Sequence, residues 1–180
     1  RRYLGKRFRE VDGLGDGAAQ GSSFRRTGEW SHSEKNFGAM KLEFVNRTQE
    51  VLPRRKLERW MRKIILLLSR RGLWRRPYRE LAIVFIPNRE SQQLNSRFRK
   101  KPRPAHVLSF DYGESAELLL APGVIRRGVK HPGRDFDAAL LRFTIHGMLH
   151  LAGLHHERSP KVAKTTLQVE ETLFSRVVRS

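Results

Sequence analysis

Residues 135–153, DFDAALLRFTIHGMLHLAG, restrict the folding options of this chain more than any other stretch. Apolar side chains recur there at helical spacing, and Gly153 suits the turn that ends a helix. The segment is therefore expected to be the most apolar helix of the chain, packed at the centre of whatever core forms. Yet it contains His146 and His150, and His156 follows soon after, in the pattern H-x3-H-x5-H. Imidazoles embedded in an apolar helix need a reason.

Residues i and i+4 of a helix project from one face about a turn apart. His146 and His150 can thus bring two ring nitrogens to one ion at about 2.0–2.1 Å. A third ligand further along the same helix could not converge on that point, so the chain must first turn. Gly153 can take the positive φ that such a reversal needs, and His156 then folds back toward the pair. Three neutral imidazoles leave a fourth position on Zn²⁺ open, as catalytic sites do. An HxxxH pair alone is more often two ordinary histidines. The glycine and the third histidine at this offset make the pattern specific. His155 is the alternative third ligand or an outward-facing neighbour, and His106 is a second possible pocket residue. Cysteine is absent, so thiolate ligands and disulfides are excluded.

The same spacing resembles HExxHxxGxxH, where a Glu after the first His is the general base of a zinc peptidase. Here that position is Gly147, so hydrolysis of peptides would lack its proton acceptor. A zinc hydrolase of another substrate is accordingly the lesser reading.

Charge points to the partner. The chain carries 37 Lys and Arg against 18 Asp and Glu, a net +19 over 180 residues. Its first 39 residues hold 8 basic and 5 acidic side chains, so 16 of the net positive charges fall on residues 40–180. A field of that size on a folded unit favours a polyanion, RNA first, and exceeds what solubility needs. No apolar run reaches the 18 residues of a membrane-crossing helix.

Residues 1–39 are rich in Gly, Ser and Arg and are read as a disordered or appended extension. Met40 would then be a native start and 40–180 the functional domain. The cytoplasm is the expected compartment, or an organelle if residues 1–39 are a native targeting segment. Beyond Met40 the pattern alternates between strands and helices. Strands are expected over 41–46, 80–86 and 106–110, with a weaker one over 117–125. Helices are expected over 53–71, over 88–99 with Asn88 as its cap, over 135–153, and after Ser159-Pro160. The fold class is α+β: a single domain with a small mixed β-sheet packed with several α-helices, and a three-His metal site at the end of a central helix.

Two blocks of this sequence resemble the YbeY family of rRNA maturation endoribonucleases. HGMLHLAGLHH is similar to the family's H-G-x-L-H-L-x-G-[YF]-D-H, and LNSRFRKKPRPAHVLSF (94–110) to its L-N-x-x-[YF]-R-x-x-x-x-P-T-[DN]-V-L-S-F. The resemblance runs from about 41 to 178. It implies a zinc-dependent endoribonuclease that cuts single-stranded RNA in rRNA maturation, with rRNA or the small ribosomal subunit as partner. It also implies His146, His150 and His156 as the metal ligands and Arg99 as the catalytic arginine at the scissile phosphate. Three positions depart from the family pattern: His155 stands for its Asp, Ala105-His106 for its T-[DN], and Ala121-Pro122 for its Gly-Asp.

RNA contacts are expected from Arg54, Arg55, Arg59 and Arg62 on the first helix and from Arg97, Lys100, Lys101 and Arg103 beside Arg99. Phe98 could stack on bases, whereas Trp60 falls on an apolar stripe and belongs to the core. Glu157 and Asp111 are conceivable general bases that nothing singles out. The competing reading in a different class is an rRNA-binding assembly factor that holds a structural metal and does not cut.

Overall fold

The computed structural model describes residues 35–37, 40–75, 78–154 and 160–179, of which 35–37, 160 and 161 by backbone alone. Five strands form one sheet in the order β1-β2-β3-β5-β4. They are β1 (Lys35–Phe37), β2 (Met40–Asn46), β3 (Glu80–Phe85), β4 (Val107–Asp111) and β5 (Ser115–Leu120). The helices are α1 (Arg54–Arg70), α2 (Asn88–Arg99), α3 (Pro122–Arg127), α4 (Pro132–Leu151) and α5 (Pro160–Val178). The α+β class and the mixed sheet are as the sequence indicates. Strands β2, β3 and β5 run parallel, while β1 and β4 pair antiparallel at the two edges. Lys35–Phe37, within the stretch read as an extension, is the short edge strand β1. The expectation for the other residues of 1–39 lies outside the described residues.

Side-chain alternation divides the sheet into two faces. Leu81, Ile83, Phe85, Leu118 and Leu120 point to the main core, where α1, α4 and α5 add Leu57, Met61, Ile64, Leu140, Ile145, Met148 and Leu173. The neighbours Ala82, Val84 and Leu119 point the other way, onto a smaller core completed by Leu94 of α2 and Leu108 of β4. Trp60 is buried in the main core as its stripe requires.

Two local readings need correction. Residues 123–125 are not strand but part of α3, because Pro122 at its first positions presets a helical φ. Asn88 is the first residue of α2, not its cap: Pro87 precedes it in extended conformation without a side-chain cap bond.

The apolar helix α4 packs on the sheet at unusually close range, and Gly147 is the reason. A Cβ built there would lie 2.2 Å from Leu118 Cδ1, 2.9 Å from Val107 Cγ2 and 3.1 Å from Ser109 Oγ. Ser109 Oγ donates to the Gly147 carbonyl at 3.0 Å, pinning the helix to edge strand β4. The position that a peptidase would fill with Glu therefore faces the sheet, where a carboxylate would be buried and away from any open site.

Candidate metal and RNA site

Helix α4 ends as the sequence requires. Gly153 adopts φ +86°, its N–H bonds to the His150 carbonyl at 2.9 Å, and the Leu154 N–H to the Leu149 carbonyl at 2.9 Å. These paired bonds form a Schellman turn and reverse the chain just after His150. The buried Tyr78 hydroxyl donates to the Leu151 carbonyl at 3.3 Å and steadies the same end. His155, His156 and Glu157 lie outside the described residues, so the third-ligand expectation does too.

His146 and His150 do converge. Their Nε2 atoms are 3.0 Å apart, close to the roughly 3.3 Å that two Zn–N bonds of about 2.0–2.1 Å subtend at a tetrahedral angle. His146 Nδ1 lies 3.2 Å from Glu170 Oε2 on α5. A carboxylate only accepts, so Nδ1 is the donor of this bond, and in the neutral ring that leaves the Nε2 lone pair directed at His150. A carboxylate behind an imidazole in this way is the usual orienting partner of a metal-binding histidine. The two rings fit a shared ion. Among the described residues no group of three His, Asp or Glu side chains converges, so a complete site needs a ligand from elsewhere.

Both histidines line an open cavity of about 610 Å³ that straddles the edge strand β4. Arg99, Lys101 and Arg103 line it as well. Helix α2 sets their positions. Arg99 is its last residue, Lys100 reverses the chain at φ +57°, and three α2 side chains hold the following loop. Asn95 Nδ2 donates to the Arg103 carbonyl at 2.7 Å, Gln92 Nε2 to the Pro102 carbonyl at 3.0 Å, and Ser91 Oγ to the Ala105 carbonyl at 2.7 Å. Arg97 and Lys100 flank the cavity without lining it, and Arg97 sits 5.7 Å over the Phe98 ring. Arg54, Arg55, Arg59 and Arg62 of α1 are not part of its wall. Arg54 pairs with Glu58 at 3.1 Å on its own helix.

His106 belongs to the site. Its ring stacks on Phe143 of α4, 4.3 Å between centroids and 2° from parallel. That pair also borders a second, smaller cavity of about 370 Å³ that His146 and Glu170 line too. Burial, and secondarily the Arg103 charge, hold the His106 pKa below its ordinary 6.5. Asp111 lines the large cavity, and its Oδ1 accepts the Gly113 N–H at 2.9 Å to shape the β4–β5 turn.

Glu170 was not legible in the sequence. It is one of two adjacent glutamates on an amphipathic helix, and only the packing of α5 on α4 brings it to His146.

Fold and site together define a small α+β protein with an imidazole pair and an arginine in one open, cationic cleft. Residues 43–177 match the family model of Endoribonuclease YbeY, and the chain belongs to this family. It is 32% identical over 140 residues to the Endoribonuclease YbeY of Bdellovibrio bacteriovorus, across 75% of this chain and 93% of the relative. The Endoribonuclease YbeY of Aquifex aeolicus is 27% identical over 132 residues, 69% of this chain and 84% of the relative. The solution structure of a Thermotoga maritima protein superposes with a TM-score of 0.52 at 24% identity, covering 76% of this chain and 88% of the other, which bears on the fold alone.

Proposed function

We infer that this chain is an endoribonuclease, a hydrolase of RNA phosphodiester bonds, as its family membership indicates. In the finer reading it cuts single-stranded rRNA within ribosome maturation, using zinc held by His146, His150 and His156. The observation that carries this reading is the pair of Nε2 atoms 3.0 Å apart in the same cleft as Arg99, Lys101 and Arg103.

A divalent metal, when bound, would supply an acidified water and a Lewis acid for a phosphoryl oxygen. The chain's own residues do the rest. Lys101 and Arg103 draw the RNA backbone into the cleft by charge. Arg99 meets the scissile phosphate with its planar fork, whose two parallel N–H bonds orient the group and balance charge that develops on its oxygens. Glu170 accepts a hydrogen bond from His146 Nδ1–H and so fixes which nitrogen faces the cleft. His106, whose charged form burial disfavours, walls the cleft beside His146. No helix among the described residues is long and apolar enough to cross a membrane.

The purified chain with single-stranded rRNA, casein and a chelator tests this directly. RNA cleavage should be lost in His150→Ala, and Arg99→Ala should fall by roughly 10²–10³-fold while binding holds. RNA binding without cleavage would favour the assembly factor, and casein cleavage with intact RNA the other hydrolase.

A further inference from the structure

The exposed large apolar side chains among the described residues are Val51, Leu66, Phe98, Tyr112, Leu167 and Val178. The two aromatic members sit together. Phe98, 48% exposed at the end of α2, and Tyr112, 41% exposed just beyond β4, flank the ring of Phe110. Phe98 meets Phe110 edge-on with centroids 5.2 Å apart, and Tyr112 lies 7° from parallel to Phe110 at 6.5 Å. Strand parity explains the row. Positions 110 and 112 share one side of the edge strand, with Leu108 and the α2 core, whereas Val107 and Ser109 face α4.

Phe98 and Phe110 nevertheless line the same cavity as His146, His150 and Arg99, because that cavity wraps around the β4 edge. Residues 97–103, RFRKKPR, place five cations and no acid beside the rings. Aromatic faces next to a dense positive strip are the composition that binds single-stranded nucleic acid, where every base offers a face to stack and every phosphate a charge. Phe110 also packs on the smaller core, but the exposed rings of Phe98 and Tyr112 on either side of it are not buried in any core.

We propose that Phe98, Phe110 and Tyr112 form a stacking platform for unpaired bases next to the scissile phosphate, and that this platform gives the enzyme its preference for single strands. The inference rests on the endoribonuclease reading. RNA entering the cleft lays bases on the rings and meets Arg99, at the end of α2, on one side of β4, while its backbone crosses the edge to the histidines of α4 on the other. In an A-form duplex the bases are already stacked inside the helix, so their faces cannot reach the rings. Selection then comes from base accessibility and is tolerant of sequence.

The full chain is tested by fluorescence anisotropy with two RNA oligomers of equal length, one normal and one with abasic sites at consecutive positions. The chain should bind the normal oligomer more tightly by about ten-fold per stacked base. In Phe98→Leu/Tyr112→Leu the ratio should fall toward one, with the salt dependence unchanged because no phosphate contact is lost. Phe98→Tyr/Tyr112→Phe should restore it, and a thermal melt of each variant separates this from misfolding. Equal binding of both oligomers, or a base preference that survives the leucine pair, overturns the platform while cleavage by the unmodified chain leaves the nuclease reading standing. Failure to bind either oligomer, with no cleavage, overturns both.

Discussion

Gly147 gives the sharpest test of how α4 is held against the sheet. An alanine there sets its Cβ 2.2 Å from Leu118 Cδ1 and 2.9 Å from Val107 Cγ2. Leu118 is fully buried, so its methyl has no open space to enter, and Val107 is β-branched and stiff. Overpacking costs about 1–3 kcal/mol in general, and a fully buried methyl only 2.2 Å away puts this site in the upper part of that range, about 2–3 kcal/mol. The intrinsic gain of Ala over Gly inside a helix offsets about 1 kcal/mol of that. The net destabilisation expected for Gly147→Ala is therefore about 1–2 kcal/mol, or a Tm lower by roughly 2–8 °C for a domain of this size. Gly133 lies in the first turn of the same helix and has no positive φ, and a Cβ added there would meet nothing within 4 Å. Gly133→Ala should leave stability unchanged or raise it by up to about 1 kcal/mol. Calorimetry on both variants reads the difference. If Gly147→Ala melts at or above the parent, like Gly133→Ala, then α4 does not approach the sheet through this residue.

Glu170→Ala should weaken zinc binding by about 10–100-fold with a fold intact by circular dichroism, measured by competition with a chromophoric chelator. An affinity equal to the parent's would remove the carboxylate from the site. Because the His106 pKa is lowered in the folded chain, the unfolded chain takes up that proton first as pH falls. Stability from this residue is thus full above 6.5 and declines as the pH drops through 6.5 toward the folded value. Urea midpoints on either side of that pH should show a slope that His106→Gln flattens, and a slope that persists would contradict the assignment. Replacing both Lys101 and Arg103 by Ala should make the slope of log binding constant against log salt shallower by roughly 1.4 for single-stranded RNA. An unchanged slope would mean that these cations do not meet phosphates.

Periodicity and punctuation made most of the architecture readable. The α4 pattern, Gly153 after it and Pro160 at the start of α5 are local signals, and the chain obeys them locally. Residues 123–125 misled because three apolar residues after a short apolar run look like strand, while the proline that starts a helix precedes them. The histidine pair was legible for the same local reason, since i and i+4 meet on any helix. Glu170 was not, because its partner lies 24 positions away and α5 packing alone joins them. Nor could the sequence separate the cations of α1 from those of residues 99–103, since position relative to the cleft is a tertiary fact. Gly147 reads in the sequence only as a missing carboxylate, whereas in the fold it is the contact that lets α4 reach the sheet.

The chemistry of the cleft depends on His146 and His150 sharing one ion. Diffraction at the zinc absorption edge, from crystals grown with zinc, tests it most directly. One anomalous peak is expected about 2.0–2.1 Å from both Nε2 atoms, with His156 completing the protein ligands. A peak bound elsewhere, or none between the two rings at saturating zinc, would contradict it.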